Sequence, residues 1–134
     1  MKKSFIKKID HLVLTTSDCN RFLDFYEKLG FIIKKEIHRA EMFAGDFKIN
    51  VHYLGNELQP HALNVQVGSG DLCFEISGDL MEFKEFIEKQ GIVVEEGIVC
   101  RHGVVGEMYS IYLRDPEGNL LEFSSYDIEK NIHY

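Results

Sequence analysis

The sequence predicts an α+β fold made of two βαβββ modules, whose strands form a curved, partly closed mixed β-sheet around a cavity. A strand–helix–hairpin pattern occurs twice in the 134 residues. The two copies match at a nearly constant offset, and a dense turn segment at 115–119 joins the last two strands. One such unit leaves a face of its sheet uncovered, whereas two units side by side can close around a hollow.

The first module is predicted from alternating and helical apolar patterns. Asp18 and the hydroxyls before it can cap a helix whose apolar residues follow at helical spacing, and Gly30 stands where a helix-terminating glycine belongs. Gly45-Asp46 is a hairpin signal. The predicted strand, helix with its cap, short strand and hairpin strands cover residues 9–14, 15–30, 31–36, 40–44 and 47–54.

The second module repeats this order. Phe86 and Gly91 stand 61 positions after Phe25 and Gly30. In the first strand of each module the offset is 60, and in the last strand Asn50 pairs less clearly with Glu122. The predicted strand, cap, helix, short strand and hairpin strands cover residues 70–76, 77–79, 80–91, 92–95, 109–113 and 120–123.

The length indicates a single domain, residues 1–134. Within it we place module one at about 6–55, a link at 56–68 and module two at about 69–126. The polar tail, 127–134, is predicted to fray or to take part in dimer contacts.

Composition restricts the function classes. The formal charge of −7 argues against a nucleic-acid surface, and no apolar run is long enough to span a membrane. The N-terminus lacks the apolar stretch of a signal peptide, so a cytoplasmic location is expected. The odd number of cysteines, Cys19, Cys73 and Cys100, without CxxC spacing, indicates reduced thiols, and Cys73 in an apolar strand is predicted to fill the core.

Polar residues interrupt the predicted strands where apolar residues dominate. Glu122 stands among Leu120, Leu121 and Phe123 and needs a metal ion or a basic group as its partner, because an unpaired buried carboxylate is very costly. His52 follows Asn50 by two residues, so both face the same side of a regular strand. The residues predicted to point inward are His11, Asn50, His52, Asp71 and Glu122.

Three stretches resemble the vicinal oxygen chelate superfamily, which includes glyoxalase I, extradiol dioxygenases and bleomycin-resistance proteins. They are Ile9-Asp10-His11-Leu12-Val13-Leu14, the helix end Phe25-Tyr26-x-x-Leu29-Gly30-Phe31, and Arg114-Asp115-Pro116-Glu117-Gly118-Asn119-Leu120-Leu121-Glu122. Residues 48–55 and 68–74 further resemble a bacterial glyoxalase-like branch that includes virulence-associated proteins.

The resemblance implies metal ligands on the first and last strand of each module. His11 and Glu122 match such positions, Asn50 falls where Glu or Gln is frequent, and Asp71 replaces a usual His. His52 can supply the imidazole that Asp71 does not. The predicted ligands of a Mn²⁺, Fe²⁺, Ni²⁺ or Zn²⁺ ion are therefore His11, His52, Asp71 and Glu122. The alternative is a metal-free polar pocket in which the histidines neutralise the carboxylates.

The resemblance implies a metal-dependent glyoxalase-like enzyme with lyase or isomerase chemistry on a small oxygen-chelating substrate. Glu122 or Asp71 would be the catalytic base, and Asn50 and Arg101 would bind substrate, Arg101 from a mobile flap at 97–106. The alternatives are an Fe²⁺ extradiol-type dioxygenase and a non-catalytic protein that sequesters an antibiotic. A homodimer is expected, without nucleic-acid or membrane partners.

Overall fold

The structure is a computed structural model that describes residues 4–127. The chain divides into two compact units, Met1–Val65 and Gln66–Tyr134. The division falls within the link predicted at 56–68, and the tail predicted from 127 onward lies, beyond Asp127, outside the described residues. The first unit contains β1 (His11–Thr16), α1 (Cys19–Leu29), β2 (Ile32–Lys35), β3 (Arg39–Ala44) and β4 (Phe47–Tyr53). The second contains β5 (Asp71–Glu75), α2 (Leu80–Glu88), β6 (Val94–His102), β7 (Glu107–Arg114) and β8 (Leu120–Ser125).

Each unit is a βαβββ module with one four-stranded mixed sheet. The strand orders are β1-β4-β3-β2 and β5-β8-β7-β6, and neither sheet closes on itself. In both, the first strand pairs in parallel with the last, while the other pairs are antiparallel. The α+β fold of two βαβββ modules is therefore confirmed.

Strand register confirms that Asn50 and Glu122 are equivalent positions. Val13 is the β1 partner of Asn50, and Cys73 is the β5 partner of Glu122. Val13 and Cys73 are themselves two residues after His11 and Asp71, which the repeat aligns. Glu122 thus occupies in the second module the place that Asn50 occupies in the first.

Both helices begin where their sequences predict, and α1 ends as predicted, but α2 ends at Glu88, three residues before the predicted end at Gly91. Asp18 caps α1 by accepting a hydrogen bond from Arg21 N at 3.3 Å, and Gly30 ends it in the left-handed conformation, with φ of 110°. Asp79 caps α2 by accepting from Met81 N at 2.9 Å. Phe86, however, is half exposed rather than part of the apolar face of α2.

The last strand of each module alternates between a buried apolar face and a polar face. Ile49 and Val51 of β4 are fully buried, as is Leu121 of β8. The side chains between them, Asn50 in β4 and Glu122 in β8, lie on the opposite face of each sheet because successive strand residues point to opposite sides. The alternation predicted for Glu122 against Leu121 is confirmed.

Within residues 4–127, no helix is long and apolar enough to cross a membrane.

The prediction of a mobile flap at 97–106 is wrong for most of these residues, because they form a strand. Residues up to His102 belong to β6, and only the short turn to Glu107 lies between strands. Gly97, which suggested a loop, instead has φ of +134° beside a register shift between Gly97 and Val99. A Cβ there would stand 2.8 Å from Ile111 Cα, so this strand needs glycine where it passes β7.

Cys73 does not fill the core, as its apolar neighbours had suggested. It lies on β5 between Leu72 and Phe74, and its residue is exposed. Those two neighbours point to the other face of the sheet, where Phe74 packs on Phe123 at 5.1 Å between ring centroids. Because successive strand residues point to opposite faces, Cys73 lies on the face opposite to its apolar neighbours and not in the core.

The turn between β7 and β8 holds the strand that carries Glu122. Asp115 Oδ1 accepts from Glu117 N at 2.9 Å and from Asn119 N at 3.0 Å, as predicted for this turn chemistry. The buried Asn119 reaches further than predicted: its Nδ2 donates to Asp115 Oδ2 at 2.8 Å, and its Oδ1 accepts from Gly70 N at 2.7 Å. This side chain therefore fixes the turn to the start of β5.

Candidate functional site

Glu122 finds hydroxyl partners on the polar face of the second unit. Ser110 Oγ donates to Glu122 Oε2 at 2.7 Å, and Ser124 Oγ lies 3.2 Å from the same oxygen. The two serine oxygens are 2.6 Å apart, and both residues are fully buried. Glu122 is thus a half-buried carboxylate held by neighbouring hydroxyls, although sequence reasoning expected a metal ion or a basic group.

Counting protons gives this network a direction. Each hydroxyl has one proton to donate. The shortest contacts are satisfied together when Ser124 donates to Ser110 and Ser110 donates to Glu122. The thiol of Cys73, 3.2 Å from Ser124 Oγ, then donates to Ser124. Although the residue is exposed, its thiol is partly shielded from water, which raises the pKa of the Cys73 thiol. The hydrogen bond with Ser124 opposes this rise and the charge of Glu122 adds to it, so the thiol keeps its proton at neutral pH.

Tyr112 and Arg101 extend the polar face beside Glu122. Tyr112 is the cross-strand partner of Glu122, and its hydroxyl accepts from Arg101 Nε at 3.0 Å. The guanidinium lies 5.5 Å from the Tyr112 ring centroid, and one of its nitrogens lies 3.5 Å from Glu96. Burial raises the pKa of the Tyr112 phenol, and Glu122 adds to the rise, so Tyr112 is neutral at physiological pH.

Asp71 stands at the start of β5, on the same face as Glu122. It is exposed and pairs with Leu120, two residues before Glu122 on β8. Its negative charge contributes to raising the pKa of Arg114, after the larger effect of the hydrogen bond from Arg114 to Glu95. The structure therefore brings Asp71, Glu122 and the Arg101–Tyr112 pair to one face of the second unit.

His11 begins β1 in the first unit. Its Nδ1 lies 2.8 Å from Asp10 Oδ1, and its side chain is 44% exposed. The hydrogen bond to His11 lowers the pKa of the exposed Asp10 carboxyl. This contact fixes the ring through Nδ1 and leaves Nε2 to meet another group.

Asn50 and His52 line one pocket of the first unit, as their spacing predicts. The pocket has a volume of about 150 Å³. His52 is only 8% exposed, and burial lowers its pKa, so the ring is neutral at pH 7. The lining residues are Arg39, Ala40, Glu41, Lys48, Asn50, Val51, His52 and Leu58.

Two of the predicted ligands carry the hydrogen bonds typical of metal-bound side chains. A ligating histidine usually bonds a carboxylate through its other nitrogen, as His11 does with Asp10, and a ligating carboxylate is usually hydrogen-bonded in turn, as Glu122 is by Ser110. Imidazole and carboxylate donors also fit Mn²⁺, Fe²⁺, Ni²⁺ and Zn²⁺. In donor type and support, His11 and Glu122 therefore fit a divalent ion.

The complete four-residue ligand set stays a prediction. Among the described residues, no group of three or more His, Cys, Asp or Glu side chains could hold a metal ion. Within the first unit, His11 lies beside Lys48 and His52 beside Thr15. These positions are four residues apart along the paired strands, about 13 Å.

Sequence reasoning missed Ser110, Tyr112 and the role of Ser124. Ser124 follows Glu122 by two residues, so strand periodicity already placed it on the same face. Ser110 and Tyr112 lie on β7, and their positions opposite Ser124 and Glu122 follow from the register of the hairpin. The length of the turn at 115–119 sets that register and is the signal that could have found them.

The family of the chain follows from comparison with known proteins. Residues 8–123 match the model of the Glyoxalase/Bleomycin resistance protein/Dioxygenase superfamily. Virulence protein STM3117 of Salmonella typhimurium is 45% identical over 124 residues, covering 90% of this chain and 85% of that protein. The glyoxalase domain-containing protein RDO1 of Mycosarcoma maydis is 42% identical over 126 residues, covering 93% of this chain and 72% of RDO1.

Solved structures agree with this assignment. An integron cassette protein from the mobile metagenome of V. cholerae has a TM-score of 0.88 and 43% identity, covering 94% of this chain and all of that chain. Lactoylglutathione lyase from Agrobacterium tumefaciens has a TM-score of 0.70 and 21% identity, covering 92% and 96%, and thus shares the fold. The chain therefore belongs to the Glyoxalase/Bleomycin resistance protein/Dioxygenase superfamily.

Proposed function

We propose that the chain is a metal-dependent glyoxalase-like enzyme that moves a proton at a carbon next to a carbonyl group of a small oxygen-bearing substrate. The observation that carries this proposal is the state of Glu122. It is a half-buried carboxylate on the polar face of its sheet, oriented by Ser110 at 2.7 Å and flanked by the neutral Tyr112. A carboxylate held in this way can accept a proton from a carbon acid.

Residues of the second unit would have separate roles in proton transfer and in substrate binding. Glu122 takes the proton, and Asp71 offers a second carboxylate on the same face. The Tyr112 hydroxyl and the Arg101 guanidinium would hold a negatively charged oxygen of the substrate, since both are hydrogen-bond donors and Arg101 is cationic. Arg101 stays in place because Tyr112 and Glu96 bind its guanidinium.

The proposed metal ligands are His11 and Glu122, with Asp71 as a further candidate. His52 lies about 13 Å from His11 along the paired strands, too far to bind the same ion. When bound, the ion would act as a Lewis acid on a substrate oxygen. Asp10 would fix the His11 ring, and Ser110 would fix the Glu122 carboxylate, which are the outer contacts that ligands of these kinds need. A homodimer remains part of the proposal.

Metal binding tests the proposal directly. Protein purified without chelator is analysed for metal and then titrated with Mn²⁺, Fe²⁺, Ni²⁺ and Zn²⁺ by calorimetry. We expect one divalent ion per chain and an affinity more than about 100-fold lower for His11→Ala and for Glu122→Gln. Ser110→Ala should lower the affinity by about 10- to 100-fold, because it removes only an outer contact.

Two matched variants control for the loss of a ring or a charge. His38→Ala removes an exposed imidazole between β2 and β3, and Glu85→Gln neutralises an exposed carboxylate on α2. Both should bind metal as the unmodified chain does. A protein that stays metal-free with every ion offered would contradict the proposal, as would Glu122→Gln with unchanged affinity.

A further inference from the structure

Ser124 lies at the centre of the hydroxyl network around Glu122. Its Oγ atom is 2.6 Å from Ser110 Oγ, 3.2 Å from Glu122 Oε2 and 3.2 Å from Cys73 Sγ. Ser124 is fully buried, so these side chains and not bulk water are the partners of its hydroxyl group. Because a hydroxyl has one proton to donate, the group that receives this proton sets the orientation of the whole network.

The network can take two orientations, and the contact distances distinguish them. In the first, Ser124 donates to Ser110, which donates to Glu122 across 2.7 Å. In the second, Ser110 donates to Ser124, which donates to Glu122 across 3.2 Å. A strong hydrogen bond from a hydroxyl to a carboxylate is about 2.5–2.7 Å long, so the first orientation gives Glu122 the stronger bond. Ser124 stabilises this orientation because its own proton occupies the Ser110 oxygen and commits the Ser110 proton to Glu122.

The first module has no such hydroxyl pair at the equivalent positions of its sheet. The strand registers give its residues Asn50, His52 and Arg39 the places of Glu122, Ser124 and Ser110. Among residues 4–127, Asn50 Oδ1 is the buried side-chain atom without a hydrogen-bond partner. The paired hydroxyls therefore occur in the module whose last strand carries a carboxylate, where they have an anionic acceptor to support.

Ser125 shows the contacts of a neighbouring buried serine that is not directed at Glu122. It follows Ser124 on β8 and points to the opposite face of the sheet. Its Oγ donates to Gly78 O at 3.2 Å and accepts from Asp127 N at 3.1 Å. The two serines share a strand and are both buried, so Ser125 is a matched control for Ser124.

We propose that Ser124 is a positioning residue that acts through Ser110 to hold the Glu122 carboxylate by its Oε2 atom. The inference rests on the proposed function for its purpose, because a carboxylate held in one orientation serves metal binding and proton transfer. The hydrogen bonds themselves can be measured in metal-free protein, which makes the two proposals separable.

The infrared carboxylate stretching band of Glu122 reports these hydrogen bonds without metal or substrate. In protein labelled with ¹³C-glutamate, it is the band that Glu122→Gln removes. The band is recorded for the unmodified chain, Ser110→Ala, Ser124→Ala and the variant that carries both changes. Such a double-mutant cycle shows whether two residues act on the carboxylate as one unit.

We expect Ser110→Ala to shift the band most, because it removes the short bond to Glu122. Ser124→Ala should shift the band in the same direction but less, because the Ser110 hydrogen bond loses the support of a neighbouring donor. The double variant should match Ser110→Ala alone, and Ser125→Ala should leave the band in place. Ser124→Thr keeps the hydroxyl and should keep the band, while the urea midpoint of each variant shows that it is folded.

Mn²⁺ affinity, measured by calorimetry on the same variants, extends the test to the proposed function. Ser124→Ala should lower the affinity about 3- to 10-fold, less than Ser110→Ala, because it removes a contact one bond further from the carboxylate. The double variant should bind within about 2-fold of Ser110→Ala.

The outcomes separate this inference from the proposed function. Equal band shifts in Ser124→Ala and Ser125→Ala would overturn the inference, as would a double variant whose shift is the sum of the two single shifts. If the infrared cycle gives the expected pattern while the unmodified chain binds no metal, the role of Ser124 stands and the proposed function fails. If Glu122 binds metal but the infrared cycle is additive, the proposed function stands and the role of Ser124 is refuted.

Discussion

At the scale of single residues, the two histidines of the first unit show how environment decides chemistry. His11 is partly exposed and bonded to Asp10, whereas His52 is buried in a pocket wall. The sequence made both candidates for a metal ligand, His11 because it matches a ligand position of the family and His52 as the imidazole that Asp71 does not supply. Their burial and hydrogen bonding differ because different residues surround them in the folded chain, and a local sequence pattern does not reveal those residues.

The burial of His52 predicts that the protein loses stability in mild acid. Burial lowers the folded-state pKa of His52 most, while Glu57 opposes the shift and His61 and Arg39 add to it. The unfolded chain therefore takes up this proton first, near pH 6.5, so the free energy of unfolding falls as the pH drops from about 6.5 towards the folded-state pKa.

Urea unfolding at pH 7.5 and at pH 5.5 measures this loss. His52→Gln should lose less stability between the two pH values than the unmodified chain. His38→Gln, which changes an exposed ring that is not among the causes of this shift, should lose as much as the unmodified chain. An identical loss in the His52 variant would show that its ring does not carry the acid sensitivity.

At the scale of elements, the turn at 115–119 and both helix caps could be predicted from local residue chemistry. The extent of β6 could not, because Gly97, Gly103 and Gly106 imitate a loop. Only the close passage of Ile111 beside Gly97 explains a glycine inside that strand. The contact of Asn119 with Gly70, 49 residues away, is likewise invisible to local patterns.

That long-range contact predicts a large effect of one amide. Asn119→Ala leaves Gly70 N without its acceptor and Asp115 Oδ2 without the donor from Asn119. The loss of one partner by the buried Asp115 and of another by the part-buried Gly70 should cost about 2–4 kcal/mol of unfolding free energy. Asn56→Ala, at an exposed turn, should stay within about 0.5 kcal/mol of the unmodified chain. Equal urea midpoints for the two variants would contradict this role of Asn119.

At the scale of the whole molecule, the internal repeat was the most informative sequence signal. It gave the βαβββ order of both modules and the equivalence of Asn50 with Glu122, which the strand registers confirm. The divergence of the two modules was beyond prediction. One holds a carboxylate in a hydroxyl network, and the other holds an amide oxygen without a partner.

This divergence underlies the central claim that Glu122 is the functional carboxylate of the chain. Diffraction from crystals grown with Mn²⁺, recorded where manganese scatters anomalously, tests the claim most directly. We expect an anomalous peak within coordination distance of a Glu122 carboxylate oxygen, and its absence in Glu122→Gln crystals. A manganese peak bound away from Glu122, or an unchanged peak in the variant, would contradict the account.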